Sequence, residues 1–147
     1  MDTAAAGTTT EDIALSYFEE LTNKHDLSAI ERIFDPALQF YDPAIVPGGQ
    51  ANGYEATRAF FSAFFKAFPD VNFTINDLFT QDDRAAIRFN WTATHRFKFL
   101  GIDVTDRHVS VPGIDIFHIA GGRIVEVRVA FDRLELIEQL GGISHPL

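Results

Sequence analysis

Residues 109–141 run VSVPGIDIFHIAGGRIVEVRVAFDRLELIEQLG, and no other stretch limits the possible folds as tightly. Two β-rich runs, 109–119 and 124–131, flank Gly121-Gly122. A glycine pair between such runs predicts a tight hairpin, because both central residues of that turn need φ > 0. After Asp132 the period changes: Leu134, Leu136, Ile137 and Leu140 recur at helical spacing before Gly141-Gly142. Asp132 is placed to cap that helix, and the glycines to end it. The stretch therefore encodes a hairpin and a closing helix. It also places one carboxylate, Asp115, inside an apolar strand.

The clearest alternation upstream lies at 85–99. Ile87, Phe89, Trp91, Ala93, His95, Phe97 and Phe99 hold the odd positions, while Arg88, Asn90, Thr92, Thr94, Arg96 and Lys98 hold the even ones. A strand over these residues turns His95 toward the apolar side. Residues 71–79 alternate likewise, with Val71, Phe73, Ile75 and Phe79 against Asn72, Thr74 and Asn76.

Toward the N-terminus helical signals dominate. Thr10 reads as an N-cap with Glu11 and Asp12 in the first turn, and Ile13, Tyr17 and Leu21 follow at i, i+4 and i+8. A helix over 11–23 is expected, then a shorter one opened by Asp26 and ended at Asp35-Pro36. A short strand at 37–43 leads into Tyr41-Asp42-Pro43 and the Pro/Gly loop 44–52. Asn52 and Glu55 resemble a capping box for a third helix, which places Tyr54, Arg58, Phe61, Phe64, Phe65 and Phe68 on one side and stops at Pro69. Residues 1–9 are expected to be a disordered tail, and 10–147 one domain.

This order gives an α+β fold: a curved, mostly antiparallel sheet wrapped around N-terminal helices as a cone-shaped α+β barrel with an internal pocket. Fifteen phenylalanines against one tryptophan and one methionine suggest an aromatic interior, suited to an apolar ligand. A net charge of −9 argues against nucleic acid as a partner. No run approaches the ~18 apolar residues of a membrane span. The lack of cysteine and of a secretory-type leader leads to an expected cytoplasmic location.

No nucleophile elbow, phosphate loop or dinucleotide fingerprint is present, so no cofactor is expected. No metal site is expected either, because His108 and His118 oppose Asp115 in parity and stand far apart on one strand.

Three residues then stand out as catalytic candidates. Parity puts His95 on one face with Trp91, and Asp115 on one face with Phe117; Val127, Val129 and Phe131 share a face on the next run. If these faces meet, His95 and Asp115 are the main polar groups in an apolar interior. A buried carboxylate needs a partner or a proton, and an imidazole would serve. The pair could then move a proton on a bound ligand. The alternative is an outward Asp115 and a satisfied core histidine, with a bulge at Pro112-Gly113 shifting the register. Asp42 is the third candidate, although Asp-Pro is also a common turn. Tyr17, Tyr41, Trp91, Phe117, Val127, Val129 and Phe131 are the expected ligand-binding residues.

Several of these runs resemble the SnoaL-like polyketide cyclases. They are Pro112-Gly113-Ile114-Asp115-Ile116-Phe117, Gly122-Arg123-Ile124-Val125-Glu126, Phe131-Asp132 and Gln139-Leu140-Gly141. Phe68-Pro69-Asp70, Thr94-His95 and Thr105-Asp106-Arg107 fit the same pattern. The resemblance implies a cone-shaped fold of the nuclear-transport-factor-like kind, a homodimer or larger oligomer, and cofactor-free ring closure by aldol condensation. His95 matches a family histidine, Asp115 a polar pocket-facing position, and Asp42 a position near the substrate. The family's acid/base aspartate falls at Val129, which cannot transfer a proton.

The expected activity is thus a cofactor-free cyclase or isomerase acting on a polyketide-like or terpenoid carbonyl compound. A non-catalytic binding or dimerisation module on the same fold is the alternative, and an epoxide or ester hydrolase a further one.

Overall fold

Five alternating runs pair into one sheet: β1 (Phe34–Tyr41), β2 (Asn72–Gln81), β3 (Arg84–Thr94), β4 (His108–Ala120) and β5 (Arg123–Phe131). The computed structural model describes residues 8–142, so most of the expected tail at 1–9 lies outside the described residues. The strands lie in the order β1-β5-β4-β3-β2; β1 runs parallel to β5, and every other pair is antiparallel. The sheet is curved but does not close, since β1 and β2 are its edges. The fold is α+β, as expected, in the form of an open cone.

Helix α1 (Thr10–Ser16) passes directly into a π-helical segment, Tyr17–Asn23. Its cap is Thr9 rather than Thr10: the Thr9 hydroxyl accepts from the Asp12 amide, and Asp12 accepts from the Thr9 amide in return. Helix α2 (Ala29–Ile33) is a single turn and a half, α3 is Gly53–Ala67, and α4 is Arg133–Gln139. The Asn52–Glu55 capping box does not form. Asn52 instead accepts from the Phe40 amide at 3.2 Å and donates to Gln50, tying the start of α3 to the end of β1.

The hairpin is as read from its glycines, with φ of 61° at Gly121 and 79° at Gly122. The Asp132 carboxylate caps α4 through the Glu135 amide.

β4 alternates buried and exposed along its whole length. Its inner face carries Val109, Val111, Gly113, Asp115, Phe117 and Ile119. No bulge occurs at Pro112-Gly113, because the β3–β4 register is continuous. Gly113 has a packing reason: a Cβ there would lie 2.6 Å from the Phe89 ring. On α3, Thr57, Phe60, Phe61, Phe64 and Ala67 are buried against the concave sheet face. Phe60 thus joins the inward side, while Arg58 reaches out to pair with Glu31. The aromatic rings from helices and sheet form one connected interior, for example Tyr17 against Phe117 at 5.2 Å and Phe64 against Trp91 at 5.3 Å.

Candidate functional site

β1 delivers Asp42 into the interior. Its last residues are held by backbone bonds from Ala51 to Phe40 and from Asp42 to Gly49. The chain then turns, and the Asp42 carboxylate accepts from the Ala44 and Ile45 amides at 3.1 and 3.3 Å. This is the expected Asp-Pro turn geometry, yet the side chain is only 2% exposed. Burial pushes Asp42 up to about 6 against the pull of the Ile45 and Ala44 amides.

Asp115 arrives from the middle of β4, opposite Ile87 on β3 and Val129 on β5. It is 1% exposed, and its Oδ1 has no hydrogen-bond partner. Burial, reinforced by the charge of Asp42, raises its pKa well above the carboxylate range. Its surroundings therefore favour the neutral form, in which a carboxyl can donate a hydrogen bond. Tyr17 approaches from the start of the π-helical segment, and its phenol is pushed up by burial, then by Asp115 and Asp42.

Tyr17, Asp42, Asp115, Trp91, Val129 and Phe131 line one cavity, and the remaining lining residues are Phe40, Ile45, Phe60, Phe61, Phe64, Phe73 and Phe89. Its volume is about 20 Å³, room for about one water. Ile45 and Phe60 also line an open groove of about 630 Å³ between the 45–51 loop, α3 and residues 98–101. These two side chains form the partition between cavity and groove.

The structure does not bring His95 to Asp115. Both point inward, so the parity argument holds for each, but β3 ends at Thr94, where it pairs with His108. Asp115 pairs with Ile87, eight residues before His95, and at ~3.3 Å per residue this is roughly 26 Å of strand. The loop beyond β3 bonds the Nδ1 side of His95 instead, while Nε2 is buried without a hydrogen-bond partner. Its Nδ1 bonds the Thr105 hydroxyl at 2.9 Å and accepts from the Thr105 amide at 3.2 Å. An Nδ1 that accepts an amide proton leaves the hydrogen on Nε2, and burial lowers the imidazole pKa, outweighing the Phe97 carbonyl and the Asp106 charge. The residue is a neutral anchor for residues 95–107.

Phe117 and Val127 are fully buried behind the cavity wall, and Tyr41 is half-buried with the Arg128 guanidinium over its ring. Alternation foretold the aromatic lining from β2 and β3. It did not foretell Ile45 or Phe60, whose placement depends on how the 44–52 loop folds back.

The geometry is an open α+β cone around an aromatic cavity that two carboxyls and a phenol face. The SnoaL-like polyketide cyclase family model matches residues 12–140, and the chain belongs to that family. Among solved structures, a SnoaL-like proposed polyketide cyclase from Jannaschia sp. CCS1 shares 19% identity, covers 92% of this chain and 93% of its own, and superposes with a TM-score of 0.82. IdmH of Streptomyces antibioticus, a proposed polyketide cyclase, shares 24% over 91% and 99% at 0.79. AclR of Streptomyces galilaeus, a proposed hydroxylase, shares 24% over 92% and 97% at 0.78. These likenesses establish the fold. No curated protein matches the chain. No helix among the described residues is long and apolar enough to cross a membrane.

Proposed function

We propose that this chain is a cofactor-independent cyclase or isomerase that moves a proton next to the carbonyl of a bound small molecule. The observation that carries this reading is the shared cavity: two buried carboxyls and a phenol face it from the turn after β1, from β4 and from the π-helical segment, and one carboxyl oxygen has no partner. Two titratable groups whose surroundings separate their affinities for protons divide the work of base and acid. Asp42, ionised above about 6, is the base. Asp115, neutral, and the Tyr17 phenol are the donors to the enolate oxygen as it forms. His95 acts only by holding residues 95–107.

The test is hydrogen–deuterium exchange at the α-carbon of simple apolar ketones, followed by NMR. Exchange above the buffer rate that disappears in Asp42→Asn supports the assignment; exchange unchanged in that variant removes it.

A homodimer in the cytosol completes the proposal. Ile114 and Ile116, on the outer face of β4, are 43% and 44% exposed, and Phe79 on β2 is 69% exposed. Light scattering at micromolar concentration should give twice the chain mass; a monomer would exclude the dimer.

A further inference from the structure

The open groove lies across the Ile45–Phe60 partition from the acid cavity and shares no titratable side chain with it. Its floor is the outward face of α3. Thr57, Phe61 and Phe64 turn to the sheet, while Ala56, Ala59 and Ala63, at i, i+3 and i+7, are exposed. Small side chains at that spacing leave a channel about 10 Å long, the length of about eight extended methylenes.

Both walls are tied in place. On one side, the Val46 amide donates to the Asp42 carbonyl and the Gly49 amide to the Val46 carbonyl. On the other, the Phe99 ring packs on Phe68 at 5.2 Å, and Phe99 and Ile102 exchange backbone bonds around a tight turn. That turn has φ of 52° at Leu100 and 76° at Gly101. Glycine or asparagine would sit at the first of these positions with less strain. The leucine instead adds an apolar side chain to the groove.

Two polar side chains line the groove, Gln50 and Lys98, and both meet a ligand as donors. Asn52 accepts from the Phe40 amide through Oδ1, so its Nδ2 donates to Gln50 Oε1 at 2.9 Å, and Gln50 has its N–H groups left to offer. Lys98 donates only. Its ammonium is 4.0 Å from Asp103, whose side chain is 91% exposed, so water screens that acid. The two donors stand at opposite ends of α3. Thr57 near its start donates to the Ala51 carbonyl beside Gln50, and Lys66 near its end lies over the Phe97 ring beside Lys98. The groove therefore carries charge at one end only, and that charge is positive.

A hydrocarbon channel with donors and no acceptor among its side chains suits an apolar chain that ends in an acceptor, and the ammonium favours an anionic one. The protein as a whole carries −9, which draws cationic amphiphiles to its surface in general and leaves few places for an anionic head. We propose that the groove binds one long-chain carboxylate, with the carboxylate at Lys98 and the alkyl chain lying along Ala63, Ala59 and Ala56. The site stands apart from the acid cavity and from the reaction proposed there, and Ile45 and Phe60 keep their positions when it fills.

The experiment is calorimetric titration of the whole chain with hexanoate, decanoate, decanol and decylamine, each below the concentration at which it aggregates. Wild type is compared with Lys98→Gln, Lys98→Arg and Ala59→Trp. Ala59 is exposed, so the indole fills the channel without touching the inner face of α3, and circular dichroism checks the fold of each variant. Wild type is expected to bind one decanoate per chain, about tenfold more tightly than hexanoate. Lys98→Gln should weaken decanoate about tenfold and leave decanol unchanged, and Lys98→Arg should restore it. Ala59→Trp should remove both. Decanoate binding no tighter than decanol or decylamine would overturn the carboxylate. Unaltered binding in Ala59→Trp would overturn the groove as its place, and no saturable binding by wild type would overturn the site. Capture of the protein by oleate-containing phosphatidylcholine vesicles without binding of monomeric decanoate would move the carboxylate to a lipid surface and overturn the monomer site.

Discussion

The two ends of the interior each bury an ionisable side chain, His95 at one and Asp115 at the other, both at 1% exposure or less. They are treated in opposite ways. The 95–107 loop folds over His95 and supplies Nδ1 with a hydroxyl and an amide, while backbone bonds join His95 to Arg107 and Asp106. Around Asp115 nothing equivalent exists: its neighbours are the Ile87, Val129 and Phe117 positions, and its nearest charged influence is another acid. A buried polar group with fitted partners stabilises structure. One without partners destabilises it. His95 also leaves Nε2 unpartnered, so a missing partner does not by itself mark a catalytic residue; what sets Asp115 apart is that it faces a cavity shared with a second carboxyl and a phenol.

Breaking the acidic end should have the largest effect. Asp42→Asn is expected to lower turnover by ~10²–10⁴ with little loss of stability, because the amide oxygen can still accept from Ala44 and Ile45. The rate of α-carbon deuterium exchange on a simple apolar ketone would measure it. Asp115→Leu removes one donor and is expected to cost ~10²–10³ in kcat. Asp115→Asn keeps an N–H and should lose less. If Asp115→Leu is as active as wild type, the contrast between the two ends collapses.

At the other end the expectation reverses. His95→Ala should lose ~2–4 kcal/mol in urea unfolding, from the cavity and the orphaned Thr105 amide, with turnover per folded molecule nearly unchanged. A selective loss of activity with intact stability would return His95 to the site.

A pH series sharpens the contrast further. Asp42 holds its proton more tightly when folded, near 6 against an ordinary 3.8. As pH rises from about 4 to about 6 the unfolded chain releases this proton first, so the folded state loses about 3 kcal/mol of relative stability through this group. Asp42→Asn should therefore gain on wild type across that window and stay level above it. Asp115→Asn should gain over a wider range in the same direction. Denaturant midpoints at several pH values would show both. Activity should rise as pH passes about 6, where the base ionises. The smallest effect is expected from Tyr17→Phe, about tenfold in kcat, since Asp115 remains as a donor.

How legible these residues were depends on the range of the forces that place them. Alternation along β4 is local, and it put Asp115 on the inner face without help from the rest of the chain. The same rule put His95 inside, also correctly. What it could not give was how far along the sheet each lies, because that follows from β3 ending at Thr94 and from the length of the 95–107 loop. Asp42 was legible as a turn and not as a buried acid. Its burial comes from β1 joining the sheet edge in parallel to β5 and from the bonds that Ala51 and Asn52 make to Phe40. The glycine hairpin and the Asp132 cap were readable outright, since a positive φ and an orphan amide are requirements of one residue and its nearest neighbours.

The π-helical segment at Tyr17–Asn23 has a consequence for how this molecule tolerates change in length. A widened turn holds one residue more than the α-helix around it. Removing a single residue from it would let α1 continue in regular form with the flanks still in register. Removing one from the regular turns of Thr10–Ser16 would instead rotate everything before the deletion by about 100° against Tyr17, Phe18 and Leu21. The widened segment is where the first helix can absorb a change of one residue, and α1 itself is where it cannot. The phenol is thus held by a count of residues as much as by any contact it makes.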